Sequence, residues 1–201
     1  MQEEKLCKIT LGDRVVAADP CYDEGVWCAE FDIEMKPGTY DVRTVRGEVK
    51  GTYTNDEGEE KSYNWGTRTA RLSVLLTDET VETWEPVSAL GVDSGRMSIW
   101  DARNYADAKD DREWVVGRYQ DDPHGYWYQA SEQGIWTDSG CGDGSYFCYR
   151  GLNAKGEPVS LSIVFLYAEG VYDEDGRLGI MDENAIPYID GPASLWENNP
   201  F

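Results

Sequence analysis

The segment Asp138–Tyr146 combines residue types that ligand-binding loops use. It reads DSGCGDGSY, and its three glycines permit positive φ angles and a close approach of the backbone to a ligand. The carboxylates of Asp138 and Asp143 are oxygen donors of the kind that calcium prefers, although their spacing is not that of an EF-hand. Three interpretations therefore stay open: a loop that contacts a ligand, a site for a hard cation, and a structural turn between two strands.

The candidate ligand-binding residues are all polar residues or glycine. They are Asp138, Ser139, Gly140, Asp143, Ser145, Tyr146 and Asp93. The triplet Asp93-Ser94-Gly95 repeats the residue types at 138–140, each triplet close to a predicted strand, but three residues are too few to indicate a duplication. Asp19 and Asp93 lie just outside strands, a position typical of Asx turns. The sequence predicts no metal ligands and no cofactor.

The catalytic alternative is a hydrolase site built from Cys141, Asp143 and His124. A reactive thiol needs a base or a positive environment, and His124 is the single histidine of the chain. Phosphate-loop and dinucleotide fingerprints are absent. The 39 acidic residues offer too many pairs to single out two carboxylates of the glycosidase kind. We therefore predict no catalytic residues and favour a protein that is not an enzyme.

The charge balance is strongly acidic. The chain carries 18 basic and 39 acidic residues, which gives a net charge of −21. Such a field repels phosphate backbones and anionic membrane surfaces, so neither nucleic acid nor a membrane is a predicted partner. Solubility alone explains this charge. The sharper interpretation is a protein partner with a basic surface, because opposite charges steer and orient association.

The sequence predicts a cytoplasmic protein with reduced thiols. Its start, MQEEKLCKIT, has neither a basic region nor an apolar stretch of the kind that secretory signals use. The longest apolar run, 163–167, is too short to cross a bilayer. The five cysteines are an odd number, which favours free thiols in this setting. Two pairs, 21/28 and 141/148, are separated by gaps longer than the roughly two to four residues of structural zinc sites.

Alternation of apolar and polar residues predicts strands along most of the chain. Trp27–Met35 alternates over its whole length, and the turn at Lys36-Pro37-Gly38 followed by Tyr40 favours an antiparallel hairpin. Ala70–Leu76 predicts a further strand. Other strands are predicted at 81–84 (ended by Pro86), 96–100, 114–119, 125–130, 145–152 and 158–167, the last two as a hairpin in which the second strand is covered on both faces.

A mainly β fold follows from these strands, either all-β or β-dominated α+β. We expect a two-layer antiparallel sandwich or a strongly bent sheet, with one short helix near 101–111 because Asp101 is a suitable N-cap. Residues 1–201 are predicted to form a single domain. The segment 173–201 is rich in turn residues and is expected to be a loosely packed C-terminal extension.

Several ordered motifs resemble an uncharacterised bacterial family, the domain of unknown function numbered 4241. The resemblance covers roughly residues 11–166. Its motifs are Ala18-Asp19-Pro20, Lys36–Tyr40, Arg68–Leu76, Trp84–Val87, Gly91–Gly95, Asp101, Ser139–Tyr146 and Pro158–Phe165. The family carries no activity that could be transferred, so the resemblance implies the unity of the domain and no function.

Three hypotheses about function follow. The first is a non-catalytic module of the immunity or counter-defence type, which binds a basic surface of a partner protein. The second is a module that binds a small ligand or a divalent cation through the glycine-rich loop at 138–146. The third is the hydrolase with an unrecognised site.

Overall fold

The computed structural model describes residues 2–23, 26, 29–54, 57–105, 126–140 and 142–166. These ranges contain eleven strands and one short helix. The strands are β1 (Gln2–Leu11), β2 (Arg14–Ala18), β3 (Ala29–Glu34), β4 (Gly38–Thr54), β5 (Glu60–Leu75), β6 (Thr83–Val92), β7 (Arg96–Asp101), β8 (Trp127–Ser131), β9 (Gly134–Asp138), β10 (Gly144–Leu152) and β11 (Pro158–Val164), and the helix is α1 (Ala102–Tyr105).

The strands form two antiparallel sheets. The larger sheet has six strands in the order β1-β4-β5-β11-β10-β6, and the smaller has five in the order β3-β2-β7-β9-β8. The predicted mainly β fold is confirmed, with one short helix in the described part of the chain. A buried apolar core built from residues of both sheets holds the two layers together, because each sheet turns one apolar face inward.

Two long antiparallel ribbons pass from one sheet to the other. In the first, the β1–β4 pair of the larger sheet continues as the β2–β3 pair of the smaller sheet. In the second, β6–β10 continues as β7–β9. At the second passage Val92 lies opposite Gly144 and Arg96 lies opposite Asp138, so two chain segments turn side by side. We call this turn, formed by residues 93–95, 139–140 and 142–143, the Asp-Ser-Gly corner.

The alternation at Ala70–Leu76 correctly predicts which side chains lie on each face of the larger sheet. Ala70, Leu72 and Val74 of β5 are buried in the core, and the intervening side chains point to the other face. The predicted hairpin near the C-terminal side is confirmed as β10 and β11. β11 lies between β5 and β10, in the interior of its sheet, as the continuous apolar run from Ile163 indicates.

The predicted pairing around Lys36-Pro37-Gly38 is wrong. The strand β3 is present and Ile33 is buried as expected, and the chain passes from β3 to β4 through residues 35–37. However, β3 pairs with β2 in the smaller sheet, whereas β4 pairs with β1 and β5 in the larger one. The turn is a passage between sheets, and the hydroxyl of Tyr40 donates a hydrogen bond to the carbonyl oxygen of Lys36 there. A local turn signal does not specify which strand becomes the partner.

The strand predicted to end before Pro86 continues through it. β6 runs from Thr83 to Val92 and pairs with β10 along its whole length. Proline is tolerated here because β6 is an edge strand, whose second side needs no N–H donor. The pairing also shifts register between Cys148 and Tyr149, opposite the proline, which locally relaxes the ladder.

The helix begins where the sequence predicts it. The carboxylate of Asp101 accepts a hydrogen bond of 2.9 Å from the N–H of Arg103, as an N-cap does. The same carboxylate also accepts the N–H of Gly12 and an ion pair from the Arg103 guanidinium, so it ties α1 to the first passage between the sheets. These bonds lower the pKa of Asp101. The predicted remainder of the helix, the strand at 114–119 and the extension at 173–201 lie outside the described residues.

The hairpin of β4 and β5 extends beyond the sheet that contains it. β1 pairs with β4 as far as Arg46, and β11 pairs with β5 as far as Arg71. Beyond these points the two strands pair with each other, from Gly47 opposite Arg68 to Thr54 opposite Glu60. We call residues 47–68 the arm. Its eight strand residues from 47 to 54 span roughly 26 Å at the usual rise of a strand.

No helix in the described ranges is long and apolar enough to cross a membrane.

Candidate functional site

The Asp-Ser-Gly corner brings part of the predicted ligand set together. The N–H of Ser139 donates a hydrogen bond of 3.0 Å to the carbonyl oxygen of Gly95. Gly95 also faces Gly142, because a Cβ built on Gly95 would lie 3.8 Å from the Gly142 Cα. Both residues have positive φ angles, 71° and 101°, which favour glycine. The two Asp-Ser-Gly triplets, far apart in sequence, are therefore neighbours across one turn.

A buried carboxylate from a third segment holds the corner. Asp19 is fully buried at the end of β2, and its Oδ2 accepts the N–H groups of Asp93 and Ser94 at 2.9 and 2.8 Å. Its Oδ1 accepts the hydroxyl of Ser94 at 2.7 Å and the N–H of Cys21 at 3.0 Å. The bond to Cys21 confirms the predicted Asx turn at Asp19. The carboxylate of Asp93 instead accepts a hydrogen bond from the hydroxyl of Tyr22. This exposed bond is a second link between the segment after β2 and the corner.

The buried polar groups of the 139–146 segment are used within the loop itself. The hydroxyls of Ser139 and Tyr146 both donate to the carbonyl oxygen of Gly142, each at 2.7 Å. Gly140 has a φ of 67°, and a Cβ there would lie 2.9 Å from the carbonyl oxygen of Thr69. Glycine is required at this position for its conformation and for the approach of β5. These contacts support a structural turn.

Asp143 and Ser145 have a different environment, since both side chains are exposed at the start of β10. Asp93 is the other exposed member of the predicted set. Among the residues that the structure describes, no group of three His, Cys, Asp or Glu side chains could hold a metal ion. The corner presents exposed carboxylates on a rigid frame, which suits an electrostatic contact with a positively charged group.

Asp138 points away from the corner and into the protein. It is 7% exposed, and its Oδ1 accepts hydrogen bonds from the hydroxyls of Thr69 and Thr137. Burial raises the pKa of Asp138, and the two hydroxyls with the Arg46 guanidinium offset this rise only in part. The side chain joins the base of the arm to β9, because Thr69 belongs to β5. Its role here is to link elements of the two sheets.

We expect the Asp138→Asn variant to gain stability over the natural protein as the pH rises. A carboxyl whose pKa is raised by folding contributes stability below its unfolded pKa of about 3.9, and that contribution is lost as the pH rises through the folded pKa. Asparagine stays neutral and keeps an oxygen that accepts the Thr69 hydroxyl. Urea unfolding of both proteins at pH 4 and pH 8 measures the difference.

Asp143→Asn is the matched control for this prediction, since it removes the same charge from an exposed side chain of the same loop. Its difference from the natural protein should stay nearly constant between the two pH values. If Asp138→Asn lost stability relative to the natural protein between pH 4 and pH 8, the assignment of the raised pKa would be wrong.

The described thiols are not activated. Burial raises the pKa of Cys7 to about 11, and burial also raises the pKa of Cys21 beside Ser94. Cys148 is buried in the core. A raised pKa keeps a thiol protonated at neutral pH and therefore weakly nucleophilic. The residues of the hydrolase hypothesis, Cys141 and His124, lie outside the described residues, so that hypothesis stays a prediction.

A second candidate surface is the arm, whose tip carries the sequence NDEGEE at 55–60 with four acidic residues and no basic one. Glu57, Glu59 and Glu60 are exposed. Farther down the arm, ion pairs join Lys50 to Glu48 at 2.8 Å and Lys61 to Glu59 at 2.7 Å, each between side chains about half exposed. Exposed pairs of this kind contribute little to stability. Glu57 and Glu60 add exposed acidic side chains at the described part of the tip.

Sequence reasoning missed the residues that organise the corner. Asp19 was predicted as a local turn former, and its bonds to 93–94 depend on a contact across more than seventy residues. Tyr22 and Thr69 carried no signal, since single hydroxyl-bearing residues are common in strands and turns. The repeated Asp-Ser-Gly triplet was the one indication that 93–95 and 138–140 could share a role.

No family model matches the chain, and no curated protein and no solved structure matches it either. The resemblance to the bacterial family numbered 4241 therefore stays a prediction.

Proposed function

We propose that this protein is a non-catalytic binding module that engages a basic surface of a partner protein. The observation that carries the proposal is the net charge of −21 on a β scaffold most of whose described acidic side chains lie at the surface. In the described part of the chain the buried carboxylates are Asp19, Asp101 and Asp138, and all three accept hydrogen bonds. The other described acidic side chains are exposed or half-buried, where their field reaches solvent and a partner.

Electrostatic complementarity makes such a surface specific. A partner that binds nucleic acid or cleaves it presents Lys and Arg, and a negative surface steers it into contact. Immunity proteins that block toxins, and proteins that block a host defence, act in this way. The same charge repels nucleic acid itself, so the protein would compete with nucleic acid for the basic surface of its partner and would not bind the nucleic acid.

The arm is the element that best suits a basic cleft. In the described part of the chain its two strands pair with each other beyond the last pairings with β1 and β11, and its tip is acidic. A ladder of paired residues from Gly47 opposite Arg68 to Thr54 opposite Glu60 fixes the two strands of the arm relative to each other. Preorganisation of this kind lowers the entropy lost on binding. The arm therefore supports the proposal more strongly than the diffuse charge of the sheets does.

Capture experiments test the proposal. The tagged protein is incubated with a bacterial lysate at 50 mM and at 500 mM NaCl, and bound proteins are identified by mass spectrometry. We expect a basic protein that is retained at low salt and released at high salt, because salt screens the attraction. Absence of any salt-sensitive basic partner would count against the proposal.

Neutralising the tip should weaken the captured complex. We expect the triple variant Glu57→Gln, Glu59→Gln, Glu60→Gln to lower the association rate with the purified partner by about tenfold, because the lost charges steer the encounter. The matched control is Asp78→Asn, Glu82→Gln, Glu85→Gln, which removes three exposed acids at the opposite end of the larger sheet. Surface plasmon resonance at 50 mM NaCl compares the two. If both variants lowered the association rate equally, the total charge of the protein would explain the effect, and the arm would have no specific role.

A further inference from the structure

A cavity of about 540 Å³ lies on the outer face of the larger sheet. This volume falls within the range of small-molecule sites, roughly 300–1,000 Å³. The cavity is bounded on one side by two arginines and on the other by the segment that leads from β5 to β6. The lining residues that matter for the argument are Arg43, Arg71, Ser73, Ser160, Ser162 and Trp84.

Small hydroxyl side chains form the floor. Arg43 of β4, Ser73 of β5 and Ser162 of β11 are cross-strand neighbours in one row, and the two serine hydroxyls are 2.8 Å apart. Ser160 follows on β11 on the same face, since it is two residues from Ser162. The serine side chains leave a depression in the surface of the sheet, because they are much smaller than the arginine and tryptophan side chains around them.

The hydroxyl of Ser160 has no hydrogen-bond partner among the described residues. Its side chain is 2% exposed. The hydroxyl lies beneath two side chains that line the cavity, because a Cβ built on the neighbouring Gly151 would meet Ser160 Oγ together with Val81 Cγ2 at 2.8 Å and Trp84 Cζ3 at 3.0 Å. A buried hydroxyl without a partner is unfavourable and uncommon in native proteins. A polar ligand atom that moves the Trp84 side chain aside would reach the hydroxyl and provide the missing bond.

The two arginines already hold a carboxylate. Glu3 of β1 accepts the Arg43 guanidinium at 2.8 Å and lies 3.8 Å from that of Arg71. The Arg71 guanidinium also lies 5.9 Å from the centre of the Trp84 ring. Glu3 is about half exposed, so it is a weakly held occupant of the position between the guanidinium groups.

From these contacts we propose that the cavity binds an anionic sugar, meaning a monosaccharide that bears a carboxylate or a phosphate. The oxyanion replaces the carboxylate of Glu3 between Arg43 and Arg71, where guanidinium groups bind such oxygens in a bidentate manner. The apolar face of the ring packs on Trp84. A ring hydroxyl accepts the hydrogen bond of Ser160.

The rim explains why a sugar is favoured over a flat aromatic acid. Asp78 and Glu79 line the cavity from the β5–β6 connection, and carboxylate oxygens only accept hydrogen bonds; one oxygen of Glu79 already accepts the Asn153 amide at 2.7 Å. An aromatic acid has few donors for them, and its approach would leave them desolvated. Sugar hydroxyls donate to carboxylates and accept from serines at the same time, which matches the mixed lining. This binding site is separate from the acidic arm of the proposed function.

Isothermal titration calorimetry with glucuronate and with glucose 6-phosphate, at constant ionic strength, tests the proposal. We expect saturable binding of at least one of the two, and weaker binding of neutral glucose and of inorganic phosphate. Arg71→Gln should weaken the binding about tenfold or more, and Ser160→Ala should weaken it several-fold, in the range that follows from one lost hydrogen bond. Glu3→Gln should tighten it, because the internal competitor loses its charge.

The control is Lys61→Gln, which removes one positive charge from the arm and should leave the affinity unchanged. Glu3→Gln keeps the test decisive if an arginine variant fails to fold, since Glu3 is an exposed side chain. If neither the natural protein nor Glu3→Gln bound glucuronate or glucose 6-phosphate saturably, the proposal would be overturned. Binding of inorganic phosphate as tight as that of glucose 6-phosphate would also overturn the sugar assignment.

Discussion

Replacing Asp19 by alanine is expected to lower the free energy of unfolding by about 3–5 kcal/mol, because the change leaves buried donors without an acceptor. The carboxylate accepts four hydrogen bonds between 2.7 and 3.0 Å, three from backbone N–H groups and one from a hydroxyl. Water cannot replace it freely, since Asp19 is fully buried. Urea unfolding followed by circular dichroism measures the loss.

Two variants define what this loss means. Asp19→Asn keeps one acceptor oxygen for the N–H groups of Asp93 and Ser94, while the Ser94 hydroxyl can turn and accept from the new amide. It should therefore cost about 1–2 kcal/mol. Asp143→Ala removes an exposed carboxylate of the same corner and should change stability by less than about 0.5 kcal/mol. A loss in Asp19→Ala no larger than that in Asp143→Ala would contradict the role of Asp19 as the residue that holds the corner.

Local patterns in the sequence predicted the strands better than their partners, since the β10–β11 hairpin is confirmed and the hairpin around Lys36-Pro37-Gly38 is not. The alternation at Ala70–Leu76 is a property of neighbouring residues, and burial of Leu72 and Val74 on one face follows from it directly. Pairing depends on residues far apart in sequence. The turn at Lys36–Gly38 has the composition of a hairpin loop, yet the adjoining strands enter different sheets. A turn fixes where the chain changes direction, and the core decides which strand it meets.

The candidate sites differ in how much of each could be predicted from the sequence. The glycine-rich loop at 138–146 was recognisable because glycine at positive φ has a local cause, and Gly140, Gly142 and Gly144 all have positive φ. The serine row under the cavity was not recognisable, because Ser73 and Ser162 become neighbours only through the pairing of β5 with β11. Isolated serines on strands carry no signal of their own.

The helix α1 depends on a fit between two residues that no local pattern shows. Trp100 of β7 lies directly opposite Gly134 of β9, and a Cβ built on Gly134 would overlap the indole ring. The indole is 1% exposed and packs edge-on against Tyr105 of α1, with ring centres 6.3 Å apart. The Tyr105 hydroxyl in turn donates to the carbonyl oxygen of Tyr22 at 2.7 Å. The glycine thus makes room for the side chain on which the helix rests.

Gly134→Ala is therefore expected to lower the free energy of unfolding by about 2–4 kcal/mol, since the added methyl group forces the Trp100 ring out of its position. The overlap predicts a specific coupling. Trp100→Leu is destabilising by itself because it leaves a void, but in that background Gly134→Ala should cost less than about 1 kcal/mol, the ring having been removed. A double-mutant cycle measured by urea unfolding gives the coupling energy. If Gly134→Ala cost the same with and without the indole, backbone preference would explain the effect and the steric account would be wrong.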